Sequence, residues 1–164
     1  MSDKQTTKWL SNKLKSLPRE CVEFFVTFSR FEYALKRSGY LRSVKEGAKA
    51  EPGWDKCASD LGEAFFTQIY ESTQVTELFK RPPRKQVVQN GEIRWKETEQ
   101  INTVKDLFVA IRKIRNNLFH GGKYPTGPIE EAARNKKLLS GTLWVLEQAL
   151  EKSPEVNRVF LKYN

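Results

Sequence analysis

Three long stretches of this chain place apolar residues at three- and four-residue steps, a period that commits most of its length to helices packed on one another. Between Pro18 and Gly39, the residues Cys21, Phe24, Phe25, Phe28, Phe31 and Leu35 share one wide, mostly aromatic face. Ser16 or Pro18 opens this helix, because a serine hydroxyl caps free amides and proline suits a first turn. Gly39 ends it by taking the left-handed conformation. A second helix, capped by Asp55 and running to about Tyr70, buries Leu61, Ala64, Phe65 and Ile69. A third, over residues 101–119, turns Val104, Leu107, Phe108, Ile111, Ile114 and Leu118 inward and stops at Gly121-Gly122. Pro128 then starts a long helix, with Glu130 and Glu131 in its first turn, that buries Leu139, Leu143, Leu146 and Leu150 and reaches Lys152. A final turn packs Val159 and Phe160 back onto the bundle.

Shorter elements fill the gaps. Residues 3–14 read as a polar leading helix with Trp9, Leu10 and Leu14 on one face, and residues 73–80 as a short helix ending before Pro82-Pro83. Residues 40–54 form a loop rich in Gly, Pro and charge around Trp54. The departure from helix comes at about residues 85–97, where two β-prone runs flank Asn90-Gly91, a pair suited to the left-handed turn of a hairpin. The expected fold is all-α: a single domain over residues 1–164, a bundle of about five helices with a small β-hairpin insertion.

Composition narrows the function. At 164 residues the chain suits one domain around one core, and 12% aromatic residues are too many for a disordered polymer. One His and the widely separated Cys21 and Cys57 cannot supply a Cys/His zinc site, so no metal or other cofactor is expected. No apolar run is long enough for a membrane span or a signal peptide, and two distant cysteines suit a reducing, cytoplasmic setting. Walker-type phosphate loops, nucleophile elbows and His-Glu-x-x-His helices are absent.

Lys and Arg number 29 against 20 Asp and Glu, a net charge of +9 that favours a polyanionic partner such as RNA over an anionic membrane surface, for which no basic amphipathic terminus stands out. The hairpin and its flanks carry Arg81, Arg84, Lys85 and Arg94 beside Trp95, and Arg112 and Lys113 add to them as candidate RNA contacts. The same cations also fit a merely solvated basic surface.

The segment IRKIRNNLFHGGK carries the chemistry. Arg115 lies four residues after Ile111 and seven after Phe108, on the apolar side of its helix, where a guanidinium needs either a partner or an escape to water. Asn116 follows it, and His120 ends the helix, where the dipole favours an imidazolium. The plainer alternatives are an amphipathic Arg, a polar Asn and a helix-ending His. Glu32 and Lys36, one turn apart on the first helix, are secondary candidates for a cleft or else a surface ion pair.

The Arg-Asn-x-x-x-His run resembles the signature of HEPN-domain proteins, and the early stretch FSRFEYALKRSGY is similar to the first core helix of several prokaryotic HEPN families. That resemblance implies a helical bundle, a homodimer formed through the motif helices, and often metal-independent endoribonuclease activity. Many members act as toxins or in defence against phage, which implies an antitoxin or defence-system partner. Carried across, the family's Arg, polar residue and His are Arg115, Asn116 and His120. Some HEPN toxins carry a Tyr two residues after the His, modified by a partner; here that position is Gly122, which argues against such control. The hairpin is an insertion relative to a minimal bundle of this kind. Cleavage by the RNA's own 2′-hydroxyl needs a base and an acid, and a chain with one His offers two imidazoles only as a dimer. The alternative is a non-catalytic HEPN module that binds RNA or nucleotides as a sensor or scaffold; a third reading is a structural helical protein that uses Arg115 only for pairing.

Overall fold

The computed structural model describes residues 5–8, 11–12, 18–119 and 129–162. It is mostly helical, with one two-stranded antiparallel hairpin among the described residues. Of the expected leading helix, residues 5–8 and 11–12 are helical and exposed, while Trp9, Leu10 and Leu14 lie outside the described residues.

Helix α1 (Arg19–Arg37) follows Pro18 and ends on Gly39 at φ 84°. The amide of Tyr40 donates to the Leu35 carbonyl (2.9 Å) and that of Gly39 to Lys36 (3.3 Å), closing the last turn as a left-handed glycine allows. Cys21, Phe24, Phe28, Phe31 and Leu35 are buried as expected. Phe25 is not: it is 37% exposed, on the flank of the stripe, with its ring against Phe119 at a centroid distance of 3.8 Å.

After α1 the chain makes a loop whose two ends meet. Leu41 bridges Pro52, and the Gly53 amide donates to the Tyr40 carbonyl (2.7 Å). A Cβ on Gly53 would stand 2.9 Å from the Leu41 carbonyl carbon, so only glycine permits this crossing. Helix α2 (Trp54–Tyr70) therefore begins directly behind Gly53, and Asp55 lies inside its first turn instead of capping it; no side chain caps this end. A second correction concerns its buried stripe. Gly62 adopts φ 71° and kinks the helix, yet the buried stripe continues at three- and four-residue steps: Trp54, Cys57, Ala58, Phe65 and Ile69 are buried and Leu61 is half-buried, while Ala64 falls off the stripe and faces solvent.

A 3-10 turn (Thr73–Val75), capped by Ser72, leads into the short α3 (Thr76–Lys80). Strands β1 (Lys85–Gln89) and β2 (Glu92–Lys96) pair with Val88 opposite Ile93, and the turn holds Asn90 at φ 53° and Gly91 at φ 76°, both left-handed as the twist of a two-residue hairpin demands. Helix α4 (Val104–Phe119) starts three residues later than its apolar period implies, because Thr103 and Asp106 cap it reciprocally: the Asp106 amide donates to the Thr103 hydroxyl (3.1 Å), and that hydroxyl to the Asp106 carboxylate (2.8 Å). Val104, Leu107, Phe108, Ile111 and Ile114 are buried and Leu118 is half-buried. Asn117, also buried, donates to the Arg84 carbonyl (2.8 Å) and ties the hairpin's root to α4.

Helix α5 (Ile129–Lys152) buries Leu139, Leu146 and Leu150, with Leu143 half-buried. In α6 (Pro154–Leu161), Val156 is buried while Val159 and Phe160 pack on the core as expected. α1 lies against α5 and α6, and α2 against α4, around a single hydrophobic cluster. Where α3 meets α5, Arg134 of α5 pairs with Glu77 of α3 (3.2 Å) and donates to the Arg81 carbonyl (2.8 Å). No helix among the described residues is long and apolar enough to cross a membrane.

Candidate functional site

Trp54 is the floor on which the site is built. Its indole is stacked on Phe28 and Phe31, at centroid distances of 5.5 and 5.3 Å, and meets Phe108 edge-on at 5.1 Å. Packing four rings from α1, α2 and α4 together fixes the relative positions of the three helices. The indole N–H donates to Glu32 (3.1 Å), so this carboxylate is held by α2, and no ion pair joins it to Lys36.

Two guanidiniums from the last turns of α4 lie over these aromatics. The Arg112 guanidinium carbon is 5.9 Å from the Trp54 ring centroid; that of Arg115 is 5.6 Å from Phe28 and 4.8 Å from Phe119. Ring faces are negative, and they hold a cation in place without neutralising it. Arg115 also donates through Nη1 to the Asn116 side-chain oxygen (2.8 Å). The Nε atoms of Arg112 and Arg115 are both buried with no hydrogen-bond partner among the described residues. A buried donor without a partner is costly.

Both arginines line an open cleft of about 740 Å³. Its walls carry six cationic side chains, Lys36, Arg42, Lys49, Lys56, Arg112 and Arg115, against the three carboxylates Glu32, Glu51 and Asp55. Asp55 is paired with Lys105 at 3.0 Å. A smaller recess of about 270 Å³ shares Glu32, Arg112 and Arg115 and adds Phe28, Lys113 and Asn116.

The expected site residues thus divide. Glu32, Lys36, Arg112 and Arg115 share the cleft, and Asn116 and Lys113 adjoin it. Burial first, and then the charge of Lys85, push the Lys113 ammonium below the usual lysine value. Arg81, Arg84, Lys85 and Arg94 line neither hollow. Arg81 pairs with Glu77 (2.6 Å) and Arg94 with Glu92, while Arg84 lies over Trp95 at 5.8 Å and 4.0 Å from Glu97. His120 follows the last residue of α4 and lies outside the described residues.

No protein-family model, curated protein or solved structure gives a significant match to this chain.

Sequence reasoning missed the far wall of the cleft. Arg42 and Lys49 come from the loop between α1 and α2, and Lys56 from the start of α2. The signal available was a charge-rich loop that opens and closes beside aromatic residues; its return to Leu41 is a long-range contact with no local signature. Chemically, the cleft can take an extended anion, with planar guanidiniums suited to phosphate oxygens at one side and lysines at the other.

Proposed function

We propose that this chain is a metal-independent endoribonuclease of the HEPN type, cutting RNA by attack of the 2′-hydroxyl on the adjacent phosphorus at a site shared by two subunits. The observation that carries this reading is Arg115: its guanidinium lies over the rings of Phe28 and Phe119, donates to Asn116 and stands at the edge of a cationic cleft. A cation preorganised in this way stabilises the charge that develops on a phosphorane without having to reorganise.

The base and the acid are both His120, one from each subunit. One imidazole takes the 2′-hydroxyl proton while the other protonates the leaving 5′-oxygen. The exposed ring of Phe119 lies under Arg115 and packs against the partly exposed ring of Phe25, and a second copy seated there would bring two sets of Arg115 and His120 together.

Purified protein incubated with labelled RNA in the presence of a chelator tests this. The expected products carry 2′,3′-cyclic phosphate ends, and His120→Ala and Arg115→Ala, folded as judged by circular dichroism, yield none. Cleavage at the wild-type rate by either folded variant would rule the mechanism out, and tight binding without products would favour a non-catalytic RNA-binding module.

A further inference from the structure

The loop joining α1 to α2 has no assigned role, yet it supplies one whole side of the cleft. Its ends are pinned by the Leu41–Pro52 bridge, by the Arg42 amide donating to the Glu51 carbonyl (3.0 Å) and by the close approach of Gly53 to Leu41. Arg42 and Lys49 are therefore held at the cleft although their side chains are 76% and 85% exposed. Both reach the same carboxylate: Glu51 accepts from Arg42 at 3.1 Å and pairs with Lys49 at 3.4 Å. One carboxylate between two cations leaves a net positive charge there, and exposed pairs of this kind exchange partners at little cost. Lys36 and Lys56 line the same cleft with no ion-pair partner among the described residues.

The hairpin is the rival path for a polyanion. Its arginines, however, line neither the cleft nor the recess beside it, and Arg84 is laid over Trp95. A cleft of about 740 Å³ has the scale of a pocket for one nucleotide or a few.

We infer that the α1–α2 loop is a phosphate-binding wall: single-stranded RNA runs from Arg112 and Arg115 across the cleft, with neighbouring phosphates on Arg42 and Lys49, and Glu51 holds those two cations in the absence of RNA. This rests on the proposed RNA function and adds the path of the strand. Phosphates bound here are gripped without regard to sequence, which positions the strand for the chemistry at Arg115.

The test measures binding of a short labelled oligouridylate by fluorescence anisotropy over a series of salt concentrations. Every protein carries His120→Ala, so that no RNA is cut. On a single strand, the slope of log affinity against log salt falls by about 0.7 for each phosphate that the protein no longer neutralises. Arg42→Ala/Lys49→Ala is expected to lower its magnitude by about 1.4. Glu51→Gln, which frees both cations, is expected to tighten binding by about two- to fivefold. An unchanged slope in a folded Arg42→Ala/Lys49→Ala protein overturns the inference. If that variant fails to fold, Glu51→Gln decides, and unchanged affinity overturns it. Arg84→Ala/Arg94→Ala separates the two readings: a shallower slope there with no change in the loop variant leaves RNA binding standing and removes the loop from it. Absence of salt-dependent binding by the parent protein removes both.

Discussion

The guanidinium carbon of Arg115 lies 4.8 Å from the ring centroid of Phe119, one turn further along α4, and 5.6 Å from that of Phe28 on α1. The cation thus lies over two ring faces that carry no formal charge. Arg115→Lys keeps the charge but loses the planar guanidinium and its Nη1 hydrogen bond to Asn116. The proposed RNA cleavage is expected to fall by about 10²-fold or more, while the melting temperature stays within a few degrees. Single-turnover cleavage and a thermal melt check both parts; a lysine variant cutting at the wild-type rate would remove guanidinium geometry from the mechanism.

Gly141 sets helix preference against packing. Alanine in mid-helix gains about 1 kcal/mol over glycine by propensity alone. A Cβ at this position would stand 2.8 Å from the Gln74 carbonyl oxygen, a backbone atom in the 3-10 turn that cannot swing aside. Overpacking of this kind costs about 1–3 kcal/mol, so Gly141→Ala is expected to destabilise on balance. Urea unfolding reads the sign directly, and a stabilised variant would mean that the turn yields freely.

Glu77 has two basic partners of very different worth. Arg134 is only 9% exposed and Arg81 is 64% exposed. Breaking the buried pair strands a charge, so Glu77→Gln is expected to cost about 3 kcal/mol. Removing the exposed partner, by Arg81→Ala, costs less than about 1 kcal/mol. Equal destabilisation of the two variants in chemical denaturation would contradict this ranking.

Alkaline stability follows from two neighbours of Asp60. Burial, followed by the charge of Asp60, pushes the Cys57 thiol up to about 12, and the hydrogen bond to Asp60, followed by burial, pushes the Tyr40 phenol up to about 12. Unfolding returns these groups to ordinary values near 9 and 10. Between those values and about 12 the folded state holds protons that the unfolded chain releases, so stability falls as pH rises through that window. Thermal melts between about pH 8 and 11 are expected to show the decline starting near pH 9, with native Cys57 slow to alkylate at neutral pH. A melting temperature that does not fall over this range would contradict both shifts.

Much of the helical layout was legible in the sequence because its signals are local. Gly39 and Asn90-Gly91 stand where the backbone turns left-handed, and the apolar steps of α1 and α4 mark their buried faces. Three readings failed at positions where a distant segment or a backbone kink intervenes. Asp55 does not cap α2 because Leu41 fixes the chain at Gly53; Ala64, beside the kink at Gly62, lies off the stripe that Leu61, Phe65 and Ile69 continue; Phe25 leaves the buried stripe for Phe119.

The candidate site divides in the same way. Arg115, Asn116, Arg112 and Lys113 are brought close by helical spacing alone, and Glu32 and Lys36 lie one turn apart on another helix. The sequence by itself determined that a basic, aromatic-rich set of helices would carry Arg115 on an apolar face with Asn116 beside it in the chain, since a 3.6-residue period relates neighbours in the chain. Only the tertiary structure decided which cations meet. It brings Arg42 and Lys49 to the cleft and leaves Arg81, Arg84 and Arg94 paired or stacked elsewhere, because the loop's return to Leu41 and the four-ring cluster on Trp54 join residues that no local periodicity connects.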